Sequence, residues 1–115
     1  MEAVATKSAP AAIGPYSQAI THGGMLFLSG QVPIDPATGE LVVGDIATQT
    51  ERVLDNLAAV LAAAGSSFAD VVRTTIYLTN LADFAVVNAT YAMRFAEGRP
   101  YPARATVQVL SLIHI

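Results

Sequence analysis

Six positions carry residues whose types and spacing suit chemistry on a small anion. Arg104, in Tyr101-Pro102-Ala103-Arg104, ends in a planar guanidinium whose fork of N–H donors matches both oxygens of a carboxylate, fixing orientation as well as charge. Thr106 follows two residues later, so on a strand its hydroxyl shares a face with that arginine. Tyr16 offers a phenol able to orient a water or a ligand. Ser29-Gly30 pairs a hydroxyl with a residue that lets main chain approach a ligand closely. Asn88 falls inside an apolar-periodic segment, where a short amide is mildly unfavourable for a helix and suggests a hydrogen-bonding role for its side chain. Each has a plainer alternative. A lone arginine is more often a solvated charge or half of an ion pair, and a tyrosine at the start of a strand is often packing. Gly30 also suits an ordinary strand end, and Asn88 a purely structural bond.

Other chemistries find less support. The chain has no cysteine, which removes disulfides, thiolate nucleophiles and Cys-type zinc sites together. Its two histidines show no paired metal-ligand spacing, and His22 reads as a turn residue. No G-x-S-x-G nucleophile motif is present. A formal net charge of −3 gives no broad positive field, which argues against a nucleic-acid backbone as the main source of affinity.

The elements that must position these residues follow from periodicity and turn chemistry. Residues 9–15 form an extended lead-in rich in Ala, Pro and Gly. Strands are expected over 16–21 and 25–29, joined at His22-Gly23-Gly24 as a hairpin, and residues 33–39 form a polar loop. Ile46, Val53, Leu54, Leu57, Leu61 and Ala64 recur at three- and four-residue steps, which predicts a helix with Asp45 as N-cap and Gly65 closing it. A strand over 71–78 alternates Val72, Thr74, Ile76 and Leu78 against Arg73, Thr75 and Tyr77. Asn80 and Asp83 signal the start of a second helix, which carries Phe84, Val87, Tyr91 and Phe95 and ends near Glu97-Gly98. After a loop over 99–102, a last strand over 103–109 sets Ala103, Ala105, Val107 and Val109, the expected core face, against Arg104, Thr106 and Gln108.

The order β-β-α-β-α-β is an α+β architecture, a mixed sheet with two helices packed on one face. At 115 residues there is room for one domain, spanning 1–109. With 53% apolar and only 13% charged residues, some apolar surface is expected to meet another subunit. The longest apolar run has eight residues, far short of the roughly 20 needed to cross a bilayer, so no membrane association is expected. The N-terminus lacks a basic start followed by an apolar stretch, and a cytoplasmic protein is the reading.

Several segments in order, Ala11-Ala12-Ile13-Gly14-Pro15-Tyr16-Ser17-Gln18-Ala19, Leu28-Ser29-Gly30-Gln31-Val32-Pro33, Val87-Asn88-Ala89-Thr90-Tyr91 and Tyr101-Pro102-Ala103-Arg104, resemble the signature segments of the RidA/YjgF family. Gln49, Asn56-Leu57 and Ala63-Ala64-Gly65 extend the match, which keeps its order from about residue 7 to residue 109. The resemblance implies a chorismate-mutase-like fold and a homotrimer with clefts between subunits. It also implies hydrolysis of 2-imino and enamine acids such as 2-aminoacrylate to 2-oxo acids and ammonia, with no cofactor and no metal. It places Arg104 as carboxylate anchor, with Tyr16, Ser29, Gly30 and Asn88 around it. Many relatives have cysteine where this chain has Thr106, which removes thiol chemistry there but leaves backbone contacts. Two other functions stand beside this one. A non-catalytic module binding small carboxylic acids uses the same arginine, while an endoribonuclease or translation inhibitor is disfavoured by the charge and by the lack of a basic, aromatic stripe.

The segment Leu110-Ser111-Leu112-Ile113-His114-Ile115 departs from the family, which continues into a strand resembling V-E-I-E-A-I-A with a glutamate that orients the hydrolytic water. These six residues match the translation of CTG TCT CTT ATA CAC ATC, the mosaic end used in sequencing libraries. Residues 110–115 are therefore expected to be a non-native tail standing where the family's last strand belongs.

Overall fold

The expected hairpin forms around Gly23 and Gly24, whose φ values of 59° and 76° are the paired positive angles of a tight two-residue turn. In this computed structural model, which describes residues 1–95 and 99–111, the turn joins β2 (Ala19–His22) to β3 (Met25–Leu28), and His22 faces Met25 across it. A third strand, β1 (Glu2–Val4), pairs antiparallel with the other edge of β2; its three residues were too short to register as a periodic signal. The strand expected from Tyr16 begins only at Ala19. Gln18 explains the delay. Its buried amide accepts from the Thr6 amide at 2.7 Å and donates to the carbonyls of Thr6, Ala9 and Pro10, so the lead-in is tied down by a side chain rather than by a ladder.

Helix α1 (Ile46–Ala63) starts where the Asp45 carboxylate accepts from the Thr48 amide at 2.8 Å. It stops at Gly65, whose φ of 75° lets the Ser66 amide reach back to Leu61 and the Gly65 amide to Ala62. The inward stripe differs in detail from the expected one. Leu54 and Leu61 are buried as expected, but Val60 and Asn56, outside that stripe, are the most enclosed side chains of the helix. Val60 and Ala59 pack against Ala9, Ala19, Val4, Leu26 and Leu28, which places the core cluster between α1 and the three-stranded sheet. Asn56 donates to the carbonyls of Val32 and Ile34 and accepts from Arg52, so one buried amide fastens the 32–34 loop to the helix.

The remaining strands, β4 (Arg73–Leu78) and β5 (Ala103–Gln108), pair parallel in a two-stranded sheet with Thr74 beside Arg104 and Ile76 beside Thr106. The strands thus form two hydrogen-bonded groups within the α+β architecture. Asn80 does cap a turn, but a single 3-10 turn over Leu81–Asp83; helix α2 (Phe84–Ala92) follows it. That helix ends before the expected Glu97-Gly98, which lies outside the described residues, because the Arg94 amide closes a tighter turn onto Tyr91. Phe95 still continues the inward face, stacked on Tyr91 at 4.4 Å and edge-on to Phe68 at 5.0 Å. Arg94 bridges α2 to α1 through Glu51 at 2.7 Å and Asp55 at 2.6 Å. Burial works against its charge, but the bonds to Glu51 and Asp55 prevail and raise its pKa.

One strand face is corrected. On β5 the alternation is as expected, but Arg104 and Thr106, not Ala103 and Val107, lie toward α2 beside the half-buried and buried Thr74, Ile76 and Leu78. Val107 is 40% exposed and Tyr77 54%, so the apolar face of this pair is the open one. The antiparallel sheet likewise leaves Met25 and Phe27 exposed on its outer face. Of the 110–115 tail, Leu110 is fully exposed, and residues 112–115, His114 among them, lie outside the described residues. No described helix is long and apolar enough to cross a membrane.

Candidate functional site

Arg104 is held by its strand under α2, where its guanidinium carbon lies 5.0 Å from the centre of the Tyr91 ring and 5.5 Å from that of Phe84. Phe84 and Tyr91 sit seven residues apart on α2, two turns along one face, so both rings meet the strand below. The Tyr91 hydroxyl shares a 2.8 Å hydrogen bond with the hydroxyl of Thr74, the residue paired beside Arg104. The other half-buried arginines have polar partners, Arg52 in Asn56 and Arg94 in two carboxylates. Among the described residues Arg104 is the one half-buried cation whose side chain has neither a hydrogen bond nor an ion pair. A charge drawn partly out of water without a polar partner is costly unless something else meets it. An anion in that position offsets the cost.

The other predicted residues fall into two groups. Thr106 shares the helix-facing side of β5 with Arg104 and is half-buried, while Asn88 lies on α2 between Phe84 and Tyr91, exposed and without the side-chain bond its helical position suggested. Tyr16, Ser29 and Gly30 belong to the antiparallel side of the molecule, and no described hydrogen bond or ion pair links them to Arg104. Ser29 donates its hydroxyl proton to the Ser17 carbonyl at 2.6 Å, which leaves its oxygen free to accept. The Tyr16 ring is 52% exposed, and its hydroxyl has no partner among the described residues. Gly30 has neither a positive φ nor any atom close to where a Cβ would stand, so the fold of this chain alone does not require glycine there.

Sequence reasoning missed the aromatic surroundings of Arg104. The spacing of Phe84 and Tyr91 was visible as a core stripe, but nothing local revealed that a charged strand face would lie beneath it. Among the described residues no group of three or more His, Asp or Glu gathers to hold a metal ion. The two best-formed depressions lie elsewhere, one beside Glu2, Thr21 and Ala63 and one beside Phe68, Arg94 and Arg99.

Known proteins share this arrangement over most of their length. The sequence profile of the family described as Endoribonuclease L-PSP matches residues 6–114. Protein DfrA of Myxococcus xanthus is 58% identical over 113 residues, 96% of this chain and 85% of that protein. The 2-iminobutanoate/2-iminopropanoate deaminase of Escherichia coli K12 is 48% identical over 110 residues, 95% of this chain and 85% of that one. The crystal structure of YyfA from Yersinia pestis, titled a protein of unknown function of the conserved Rid family, superimposes with a TM-score of 0.94 at 50% identity, covering 97% of this chain and 88% of that one. Matches of this extent, together with the ordered segments around Tyr16, Ser29, Asn88 and Arg104, mean that this chain belongs to the RidA/YjgF family, the one whose profile is described as Endoribonuclease L-PSP.

Proposed function

We propose that the protein is a hydrolytic deaminase of reactive 2-imino and enamine acids such as 2-aminoacrylate. The observation that carries this reading is Arg104, a half-buried guanidinium without a polar partner whose N–H groups suit the substrate carboxylate. Water adds to the imine carbon, the nitrogen takes up a proton, and the C–N bond breaks to leave a 2-oxo acid and ammonia. An iminium carbon is already electrophilic, so the demands on the protein are to hold the acid and bring water to it. Arg104 anchors the carboxylate. Tyr16 has a free hydroxyl to orient water or ligand, and the Ser29 oxygen can accept a proton-bearing nitrogen. The open space at Gly30 suits close approach of a ligand, with Asn88 and Thr106 flanking the arginine.

The name of the Escherichia coli relative, 48% identical over 95% of this chain, supports the same reaction. The family's description as an endoribonuclease points to a second reading, but a net charge of −3 gives an RNA backbone little to bind. A homotrimer with the site between subunits fits this reading, because Tyr16, Ser29 and Gly30 stand apart from Arg104 within one chain and both sheets leave an apolar face open. Sedimentation should then give three times the monomer mass.

The test is release of 2-oxo acid from enzymatically generated 2-aminoacrylate, comparing this chain with its Arg104→Ala variant. Loss of a charge-assisted carboxylate contact is expected to lower kcat/KM by about a hundredfold. Equal rates in both proteins would remove Arg104 from the site; binding of 2-oxobutanoate without turnover would favour a carboxylate-binding module instead.

A further inference from the structure

We infer that Phe84 and Tyr91 are positioning residues that form a seat for the Arg104 guanidinium, and that Thr74 locks the seat through the Tyr91 hydroxyl. The inference rests on the reading of Arg104 as a carboxylate anchor and extends it to residues outside the expected site. A guanidinium on a flexible stem loses rotamer freedom when it binds, and a ligand that must impose that order binds more weakly. Here the order is supplied in advance. The cation lies within contact range of two ring faces, at 5.0 and 5.5 Å, and aromatic rings attract it electrostatically without consuming its N–H donors. A carboxylate seat would hold the arginine more strongly, as Glu51 and Asp55 hold Arg94, but would neutralise the charge that a substrate needs.

The lock is equally specific. Tyr91 is 6% exposed and stacked on Phe95, so its ring is fixed by packing, while its hydroxyl reaches Thr74 on the strand beside Arg104 at 2.8 Å. Helix α2 and the strand carrying the arginine are thereby tied at the same level as the guanidinium. Phe84, 39% exposed, covers the cation toward the start of the helix and can be changed with little disturbance of the core.

The experiment is a titration of the full 115-residue chain with 2-oxobutanoate, a carboxylate of the product class, followed by calorimetry. Phe84→Leu is expected to weaken binding by about threefold to tenfold. Tyr91→Phe keeps the ring and removes only the bond to Thr74, so a smaller weakening is expected, matched by Thr74→Val. The discriminating arm is a double-mutant cycle: adding Phe84→Leu to Arg104→Ala should weaken binding no further, because the ring acts through the arginine. Purely structural damage would instead add to the Arg104→Ala loss, and that result overturns the inference. Wild-type affinity or tighter binding in Phe84→Leu, alongside a large loss in Arg104→Ala, also overturns the seat but leaves the carboxylate anchor standing. An Arg104→Ala variant that binds like wild type sinks both together.

Discussion

In the antiparallel sheet the side facing α1 is apolar, built from Val4, Ala19, Leu26 and Leu28 around Val60, whereas in the parallel pair the side facing α2 carries Thr74, Arg104 and Thr106. Both regions cover one sheet face with a helix and leave apolar residues on the other, Met25 and Phe27 in the first and Tyr77 and Val107 in the second. The difference is what the covered face is used for. Around α1 the polar groups that are buried, Gln18 and Asn56, are bonded and fasten loops to the core. Around α2 the polar group that is half-buried, Arg104, has aromatic faces and no acid. The first region is organised for stability, and the second holds a charge ready for a ligand.

Breaking this contrast has graded consequences. The largest change in function is expected from Arg104→Ala, which should cost about a hundredfold in kcat/KM while leaving the thermal midpoint near wild type, since no described polar contact is lost. Asn56→Ala should do the reverse. It strands the Val32 and Ile34 carbonyls, and denaturant unfolding is expected to show a loss of about 3 kcal/mol. A smaller effect belongs to Arg94→Ala, which unties α2 from α1. Both acids are about half exposed, so the loss is expected near 1 kcal/mol and should shrink in high salt.

The smallest effect concerns Asp45, whose carboxyl the Thr48 bonds hold below its ordinary pKa. A depressed folded-state pKa stabilises above the unfolded value, and that contribution disappears as pH falls through the folded value. Asp45→Ala should therefore lower the melting temperature slightly at neutral pH, with the gap to wild type narrowing as the pH drops through the carboxylate range.

The legible parts of the fold were those with local causes. Gly23-Gly24, Asp45 and Gly65 each announce a turn or a cap through their own chemistry, and all three do what their types require. The strand starting at Tyr16 was misplaced because Gln18 competes for the backbone groups of the lead-in, a partner choice made across twelve residues. The helix-facing side of β5 was misread for a related reason. Alternation fixes which residues share a face, but the covering helix decides which face is inside, and here two aromatic rings make the arginine side acceptable. Of the site, Arg104 was visible through its motif, while Phe84, Tyr91 and Thr74 meet it only once α2 lies over the strand.

The most direct measurement is a crystal structure with 2-oxobutanoate bound. The account predicts both carboxylate oxygens within hydrogen-bonding distance, about 3 Å, of the Arg104 guanidinium, with the Phe84 and Tyr91 rings still against it. A carboxylate bound elsewhere, with Arg104 facing solvent or paired with an acid of the protein, would contradict it.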